Sequence, residues 1–352
     1  MRVRLEDVCE KESSKLKQSD VIDQNGMYPV YGASGYLGNI NTYQQSNYYI
    51  AVVKDGAGIG RTMLLPPESS IIGTMQYLIP KDNVLPEYLY YVVKAKHLEK
   101  YFSGATIPHI YFKDYKNEQF DLVSFEEQRE IINRLKKIEI IIENLSKNLL
   151  LLDELVKARF VEMFGDVQDA KKHSSKQLKD ICNTVTGGTP STKHAEYYNG
   201  TIPWISTVSL GPNYIDGTTA KAFITQEAVD NSSTKIIPSG SILFGTRVGV
   251  GKSSINQVEM CTNQDIVAII DLDESKYNKL YIKYVLDTYQ SYFDSIKKGA
   301  TILGISSDDL KNIYIPDASL YEQNRFEKFV KQIDKSRLLN NHSLLLLKSI
   351  IF

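Results

Sequence analysis

Ile131, Leu135, Ile138, Ile142, Leu145, Leu149, Leu152 and Val156 recur at steps of 4-3-4-3-4-3-4. That rhythm is the heptad seam of a helix lying lengthwise on another helix. Ser124 and Glu127 provide a capping box and Gly165 a stop, so a helix is predicted over 124–164. At about 1.5 Å per residue it would measure roughly 60 Å. A second seam closes the sequence: Phe326, Val330, Ile333, Arg337, Asn340, Leu344, Leu347 and Ile351, behind a second box of Ser319 and Glu322. Arg337 and Asn340 are polar, and polar seam positions cost stability while fixing register. Two seams separated by a whole domain most simply pair with each other, running antiparallel; recruitment of a helix from another protein is the alternative.

Between the rods the pattern shortens. Apolar runs at 48–54, 241–244 and 266–270 predict strands, and Ile236-Ile237 another. Tyrosines and aliphatics at helical spacing predict helices over 86–102 and 277–296. The chain is therefore read as mixed α/β.

It is also a duplication. Gly104-Ala-Thr-Ile107 returns as Gly299-Ala-Thr-Ile302, an offset of 195. At that offset Ile110, Asp114, Lys116, Asn117, Ser124, Glu127 and Gln128 match Ile305, Asp309, Lys311, Asn312, Ser319, Glu322 and Gln323, giving 11 identities over the 25 positions 104–128. Leu5-Glu-Asp-Val-Cys9 matches Leu178-Lys-Asp-Ile-Cys182 at 173, and Gly58-Ile-Gly60 matches Gly249-Val-Gly251 at 191. The second copy thus gains 22 residues (195 minus 173), mostly in its first half. The predicted segments are a first unit 1–123, a central helix 124–165, a second unit 166–318 with linker 166–175, and a final helix 319–352.

With 352 residues there is room for two cores. No apolar run is long enough to span a bilayer, the start Met1-Arg-Val-Arg-Leu lacks a signal-peptide core, and Cys9, Cys182 and Cys261 have no metal-ligand spacing. A cytoplasmic protein is expected. A net charge of −1 argues against a free-standing, non-specific nucleic-acid binder. It leaves open a subunit that reads bases while a partner supplies phosphate contacts.

The apparent phosphate loop Gly245-Thr-Arg-Val-Gly-Val-Gly-Lys-Ser253 has five residues before its Gly-Lys pair, where the motif needs four. Its duplicate, Asp55-Gly-Ala-Gly-Ile-Gly-Arg61, lacks lysine and hydroxyl. A tight turn between two strands is the better reading. The only Pro-Pro, Pro66-Pro67, does not form the base-gripping loop of an adenine methyltransferase, and the five histidines form no metal set. Neither a catalytic site nor a metal site is expected. Thr186-Gly-Gly-Thr-Pro-Ser-Thr-Lys193 and Asn25-Gly-Met-Tyr-Pro-Val-Tyr-Gly-Ala-Ser-Gly35 remain as polar, flexible loops of binding type, and Trp204 is read as core.

In order and in duplicate, these motifs resemble the specificity subunit of Type I restriction–modification enzymes. The likeness rests on Gly187-Gly-Thr-Pro-Ser191 with Ile202-Pro-Trp-Ile205, on Tyr28-Pro-Val-Tyr-Gly-Ala-Ser-Gly35, on both Gly-x-Gly turns, on Gly-Ala-Thr-Ile, and on the Glu-Gln pair opening each rod. The resemblance implies two α/β target-recognition domains separated by two long antiparallel coiled-coil helices with pseudo-two-fold symmetry. Each domain would read half of a split, asymmetric double-stranded DNA target, and the rods would set the unread spacer. Two DNA-methyltransferase subunits and restriction (motor-nuclease) subunits would be partners. S-adenosylmethionine, ATP and Mg would belong to those partners, with no cofactor on this chain. Loop position nominates Tyr31, Ser34, Lys54, Arg61, Thr106 and His109 as DNA contacts in the first unit, and Thr189, Ser191, Lys193, Arg247, Lys252 and Thr301 in the second. The competing reading is an assembly scaffold carrying two modules on a coiled coil without binding DNA.

Overall fold

A computed structural model describes residues 1–22, 24–104, 108–165, 175–299 and 301–351. The chain divides into two compact units, Met1–Asn148 with Asn340–Phe352, and Leu149–Leu339.

The first unit opens with β1 (Arg2–Arg4), α1 (Leu5–Val8), β2 (Cys9–Ser13), β3 (Tyr28–Gly32), β4 (Gly35–Ile40), β5 (Tyr49–Val53), β6 (Thr62–Leu65), β7 (Ser70–Ile71) and β8 (Met75–Pro80). There follow α2 (Pro86–Lys94), α3 (Phe112–Tyr115), β9 (Gln119–Asp121) and the long α4 (Phe125–Phe164), which belongs to the second unit from Leu149 onward. Its main sheet has the order β2-β8-β5-β6, a smaller one β4-β3-β7, and β1 pairs with β9. Strand β5 is buried along its whole length, the expectation for a central strand covered on both faces. Helix α2 closes the sheet, burying Tyr88, Leu89 and Val93 against Ile50, Val52 and Leu78.

The second unit contains β10 (Ser175–Gln177), β11 (Asn183–Thr186), β12 (Ile202–Ile205), β13 (Tyr214–Ile215), β14 (Ala222–Ile224), α5 (Gln226–Asp230), β15 (Ile236–Ile237), β16 (Ile242–Gly245), β17 (Ser253–Asn256), β18 (Met260–Thr262) and β19 (Ile266–Ile270). Next come α6 (Lys279–Thr288), α7 (Gln290–Ile296), α8 (Ser307–Lys311), β20 (Tyr314–Pro316) and α9 (Leu320–Ile351), which belongs to the first unit from Asn340 onward. Its sheets have the orders β11-β19-β16-β17-β13 and β14-β12-β18-β15, and β10 pairs with β20. The first unit's topology is therefore repeated strand for strand: β2-β8-β5-β6 becomes β11-β19-β16-β17, and β4-β3-β7 becomes β14-β12-β18. Even the mixed pairing recurs, β3 lying antiparallel to β4 and parallel to β7, as β12 does with β14 and β18. The added β13 and β15 account for part of the extra length.

Two predicted helices are shorter than their periodicity suggested. The run 86–102 stops at Lys94, because His97 adopts a left-handed φ of 50° before a short 3-10 turn, Leu98–Tyr101. The run 277–296 starts only at Lys279, where the Asn278 side chain accepts from the Leu280 and Tyr281 N–H groups, and it breaks at Tyr289 into α6 and α7. The Tyr289 hydroxyl donates to the Tyr314 carbonyl (2.8 Å), which holds the break in place.

The seams are the shielded stripes of both long helices. From Ile333 onward the seam positions Arg337, Asn340, Leu344 and Leu347 of α9 are less exposed than their immediate neighbours, and Ile351 is buried. On α4, Ile131, Leu135, Ile138, Ile142, Leu145, Leu149 and Leu152 are half-buried and Val156 is buried. Within the second unit the two helices run antiparallel. The Phe160 and Phe164 rings lie 5.3 and 5.7 Å from Phe326, while Asp153, earlier on α4, pairs with Arg337, later on α9, at 2.5 Å. Val330 and Ile333 enter the same core.

The Glu-Gln pair that opens each rod divides its work. Glu127 caps α4 through Ser124, accepting from its backbone N–H (3.0 Å) and hydroxyl (2.9 Å), and Glu322 accepts from the Ser319 hydroxyl at 3.0 Å. The buried glutamines fasten rod to domain. Gln128 accepts from the Leu85 N–H (2.8 Å) and donates to the Val123 carbonyl (3.0 Å). Gln323 accepts from the Asn278 N–H (2.8 Å) and donates to the Ala318 and Lys276 carbonyls (2.8 and 3.1 Å).

Candidate nucleic-acid interface

In each unit the Gly-x-Gly turn lies at one end of the main sheet, and residues flanking the Gly-Ala-Thr-Ile segment hydrogen-bond to it. The turns are hairpin ends, β5 to β6 and β16 to β17, both antiparallel. Gly60 (φ 80°) and Gly251 (φ 90°) require glycine in conformation and in space, since a Cβ would fall 2.5 Å from the Glu99 nitrogen or 1.9 Å from Gln290 Oε1. These glycines serve a turn, not a phosphate.

The residues on either side of Gly-Ala-Thr-Ile pair with each other beside that turn. In the first unit Ser103 and His109 exchange backbone hydrogen bonds at 2.8 Å each. In the second, Lys298 and Gly304 do so at 2.8 and 2.9 Å, at the same offset of 195. That pairing is moored to the turn by Ile110 N–H donating to the Lys54 carbonyl (2.9 Å) and Ile305 N–H to the Thr246 carbonyl (2.8 Å). A cleft opens at this junction in both units.

The first cleft, about 660 Å³, is lined by Lys11, Lys54, Lys113 and Lys116 together with Asp55 and His109. His109 Nδ1 lies 2.5 Å from Asp55 Oδ1, and Lys54 Nζ 3.7 Å from the other Asp55 oxygen. The His109 ring is near-parallel to Tyr111, 6.3 Å between centroids. Lys116 is held by Glu6 at 2.7 Å. The cationic lining suits an anionic ligand.

The second cleft, about 480 Å³, is lined by Arg247, Lys298, Gly304, Ser306 and Asp309. Arg247 is more than half exposed, with Nη1 3.6 Å from Asp265 Oδ1. The Asp265 carbonyl accepts from the Thr246 N–H (2.8 Å) and hydroxyl (3.0 Å), and the neighbouring Gln264 side chain hydrogen-bonds the Thr189 hydroxyl at 2.5 Å. Thr189, Arg247 and the Lys298–Gly304 pairing are thus gathered at one end of this unit. Thr301 is exposed there, as are Ile302 and Leu303. Lys252 is exposed on the same turn as Arg247.

The other nominated residues are more dispersed. Arg61 donates to the Ala33 carbonyl at 2.7 Å, tying its turn to the β3–β4 turn where Ser34 is exposed. Tyr31 is half-buried, its ring 6.2 Å from Tyr36. Ser191 and Lys193 are exposed within their own loop, the Lys193 N–H donating to the Ser191 hydroxyl at 3.4 Å. Thr106 lies outside the described residues. Gly187 and Gly188 pack inside: a Cβ on either would collide with Thr262 or Ser233, and the buried Trp204 donates to the Gly188 carbonyl at 3.0 Å.

Sequence reasoning missed Asp55 and Asp265, the carboxylates that orient His109 and Arg247, and the cleft residues Lys11, Lys113, Lys116, Lys298 and Ser306. The signal for most of them was proximity to the repeated block: His109 stands where the second copy has Gly304, and Lys113 where it has Asp308. Among the described residues no three His, Cys, Asp or Glu side chains form a group able to hold a metal ion, and no helix is long and apolar enough to cross a membrane. Burial pushes the Cys9 and Cys182 thiols up to about 12 and Cys261 to about 11, which leaves all three unsuited to nucleophilic chemistry.

The family profile of the Type I restriction modification DNA specificity domain matches residues 1–151 and 171–348. The Type I restriction enzyme MjaIX specificity subunit of Methanocaldococcus jannaschii is 34% identical over 160 residues, covering 45% of this chain and 37% of that protein. The match therefore spans well under half of that relative's length. Two solved structures cover 100% of this chain. One is the S subunit of a Type I restriction-modification system from M. genitalium (15% identity, TM-score 0.56, 93% of that chain). The other comes from a study of complex assembly and conformational transition in the type I R-M system (16% identity, TM-score 0.65, 95% of that chain). At these identities both establish likeness of fold.

Proposed function

Because this chain belongs to the Type I restriction-modification DNA specificity family, matched over residues 1–151 and 171–348, we propose that it reads a bipartite, asymmetric duplex target, one half-site per unit. The observation that carries this reading is the repeated topology with a cleft beside the Gly-x-Gly turn in each unit, the two linings coinciding at His109-Ile110-Tyr111 and Gly304-Ile305-Ser306 and differing elsewhere. A shared frame suits a shared task, and different linings suit different sequences. Direct readout needs side-chain donors and acceptors at base edges, which Arg, Lys, His and Ser in these clefts supply.

The chain acts without catalysis of its own in this account. Methyltransferase subunits, and restriction subunits in the cleaving assembly, supply the chemistry together with S-adenosylmethionine, ATP and Mg. Exposed aliphatic side chains on α4 (Ile140, Ile141, Leu151, Leu155) and α9 (Leu338, Leu339, Leu345, Leu346) support the docking of partner proteins on the long helices. The near-neutral net charge agrees with a partner providing much of the phosphate contact.

Electrophoretic binding with a purified methyltransferase partner tests the proposal. A sequence-selective shift on duplex DNA is expected. Formation of the protein complex with no selectivity for any duplex would instead identify a scaffold.

A further inference from the structure

The twin clefts permit a sharper statement, which rests on the bipartite reading above. When two copies of one fold read different half-sites, residues identical in both copies cannot encode the difference. Thr106 and Thr301 are identical, as are the Gly, Ala and Ile around them. The repeated segment therefore cannot write the difference, and the information must lie in side chains beside it that differ between copies.

The residue that ends the backbone pairing around the segment is such a position. In the first unit it is His109, drawn to Asp55 on the adjoining turn at 2.5 Å. In the second it is Gly304, and a Cβ there would sit 2.9 Å from Arg247 Cγ and 2.7 Å from the Thr246 carbonyl oxygen. Glycine makes the room that Arg247 occupies. One unit thus carries a His–Asp pair and the other an Arg–Asp pair (Arg247 with Asp265, 3.6 Å) beside the same repeated segment. In both, a carboxylate on a neighbouring turn steadies a donor at the mouth of a cleft.

We infer that half-site identity is written at two exchanged positions, 109/304 and 56/247, each holding a donor in one unit and glycine in the other: Arg247, beside Asp265, reads a guanine in the half-site of the second unit, and His109, beside Asp55, reads a base of the other half-site. The planar guanidinium matches guanine O6 and N7, a two-pronged contact that no other base offers in the major groove. Asp55 and Asp265 are positioning residues that limit the swing of their partners.

The test uses the full-length chain in complex with its methyltransferase partner, on duplexes carrying the motif that the wild-type complex methylates and on every single-base variant of both half-sites. Arg247→Ala should lower discrimination about ten- to a hundredfold at one G·C pair of one half-site, leaving the other half-site as in the wild type. His109→Ala should relax one position of the opposite half-site only. The untouched half-site serves as the control for folding within each variant. Uniform weakening of Arg247→Ala on all duplexes, with a shallower salt dependence, would make Arg247 a phosphate contact and overturn the inference. So would an unchanged preference at every base. If the wild-type complex itself fails to discriminate among duplexes, the bipartite reading falls, whatever the variants do.

Discussion

Replacing Gln323 with Met tests whether the repeated glutamine fastens each rod to its domain. The substitution keeps the side chain's length and apolar stem and removes its amide. The fully buried Gln323 makes three hydrogen bonds, to the Asn278 N–H and to the Ala318 and Lys276 carbonyls. Each would lose a partner where water has little access. At about 1 kcal/mol per bond the loss is about 3 kcal/mol. Gln128, with two such bonds, should lose about 2 kcal/mol in the same substitution. The only tryptophan, Trp204, is buried in the second unit, so its fluorescence reports that unit's unfolding in urea. With a slope of about 2 kcal/mol per molar urea, Gln323→Met should lower the Trp204 midpoint by about 1.5 M. A shift below about 0.3 M at unchanged slope would refute the role assigned to the amide.

A Cβ on Gly200 would lie 1.9 Å from the Ile224 carbonyl oxygen, so Gly200→Ala should cost about 3 kcal/mol by Trp204-detected urea unfolding; an unchanged midpoint would contradict the packing. Arg337 occupies a seam position and pairs with Asp153, which is more than half exposed, and with Asp334, which also accepts from the Asn213 side chain, so Arg337→Leu should hold or raise the melting temperature, because one orphaned carboxylate stays hydrated and the other hydrogen-bonded while the seam gains an apolar residue. A loss above about 1 kcal/mol would show that the ion pair stabilises the rods. The thiols of Cys9 and Cys261, raised by burial to about 12 and about 11, should resist a thiolate-selective reagent at pH 8 until the protein is unfolded. Their folded values exceed the unfolded one, so their contribution to stability is intact below about pH 9 and is lost as pH rises toward 11–12. Rapid labelling of the native protein at pH 8 would contradict their burial.

How much of this was legible in the sequence depended on whether the signal was periodic or relational. The seams were legible because a heptad is a local rhythm, and the shielded stripe of α9 follows it residue by residue from Phe326 to Ile351. The duplication was legible where identical residues sit at a constant offset. Its earlier half was blurred by the inserted residues, which hid the correspondence of Asn25-Gly26 with Asn199-Gly200. There each glycine packs under a neighbouring strand's backbone, at Ile40 or Ile224. The helix breaks at His97 and Tyr289 were not legible, because each is a tertiary event inside a helical pattern: a left-handed residue in one, a hydroxyl tied to Tyr314 in the other. The candidate site was half legible. Arg247 and His109 stood out as polar residues beside glycine turns, whereas Asp55 and Asp265 acquire meaning only when folding brings them to their partners.

The most direct test is methylation sequencing of a host genome with this gene intact and with it deleted, the methyltransferase gene being left in place. The account predicts a methylated motif of two unlike specified stretches flanking a fixed run of unspecified bases, present with the gene and absent without it. A motif that survives deletion, or a single uninterrupted one in its place, would contradict the claim that two duplicated units each read half of a divided target.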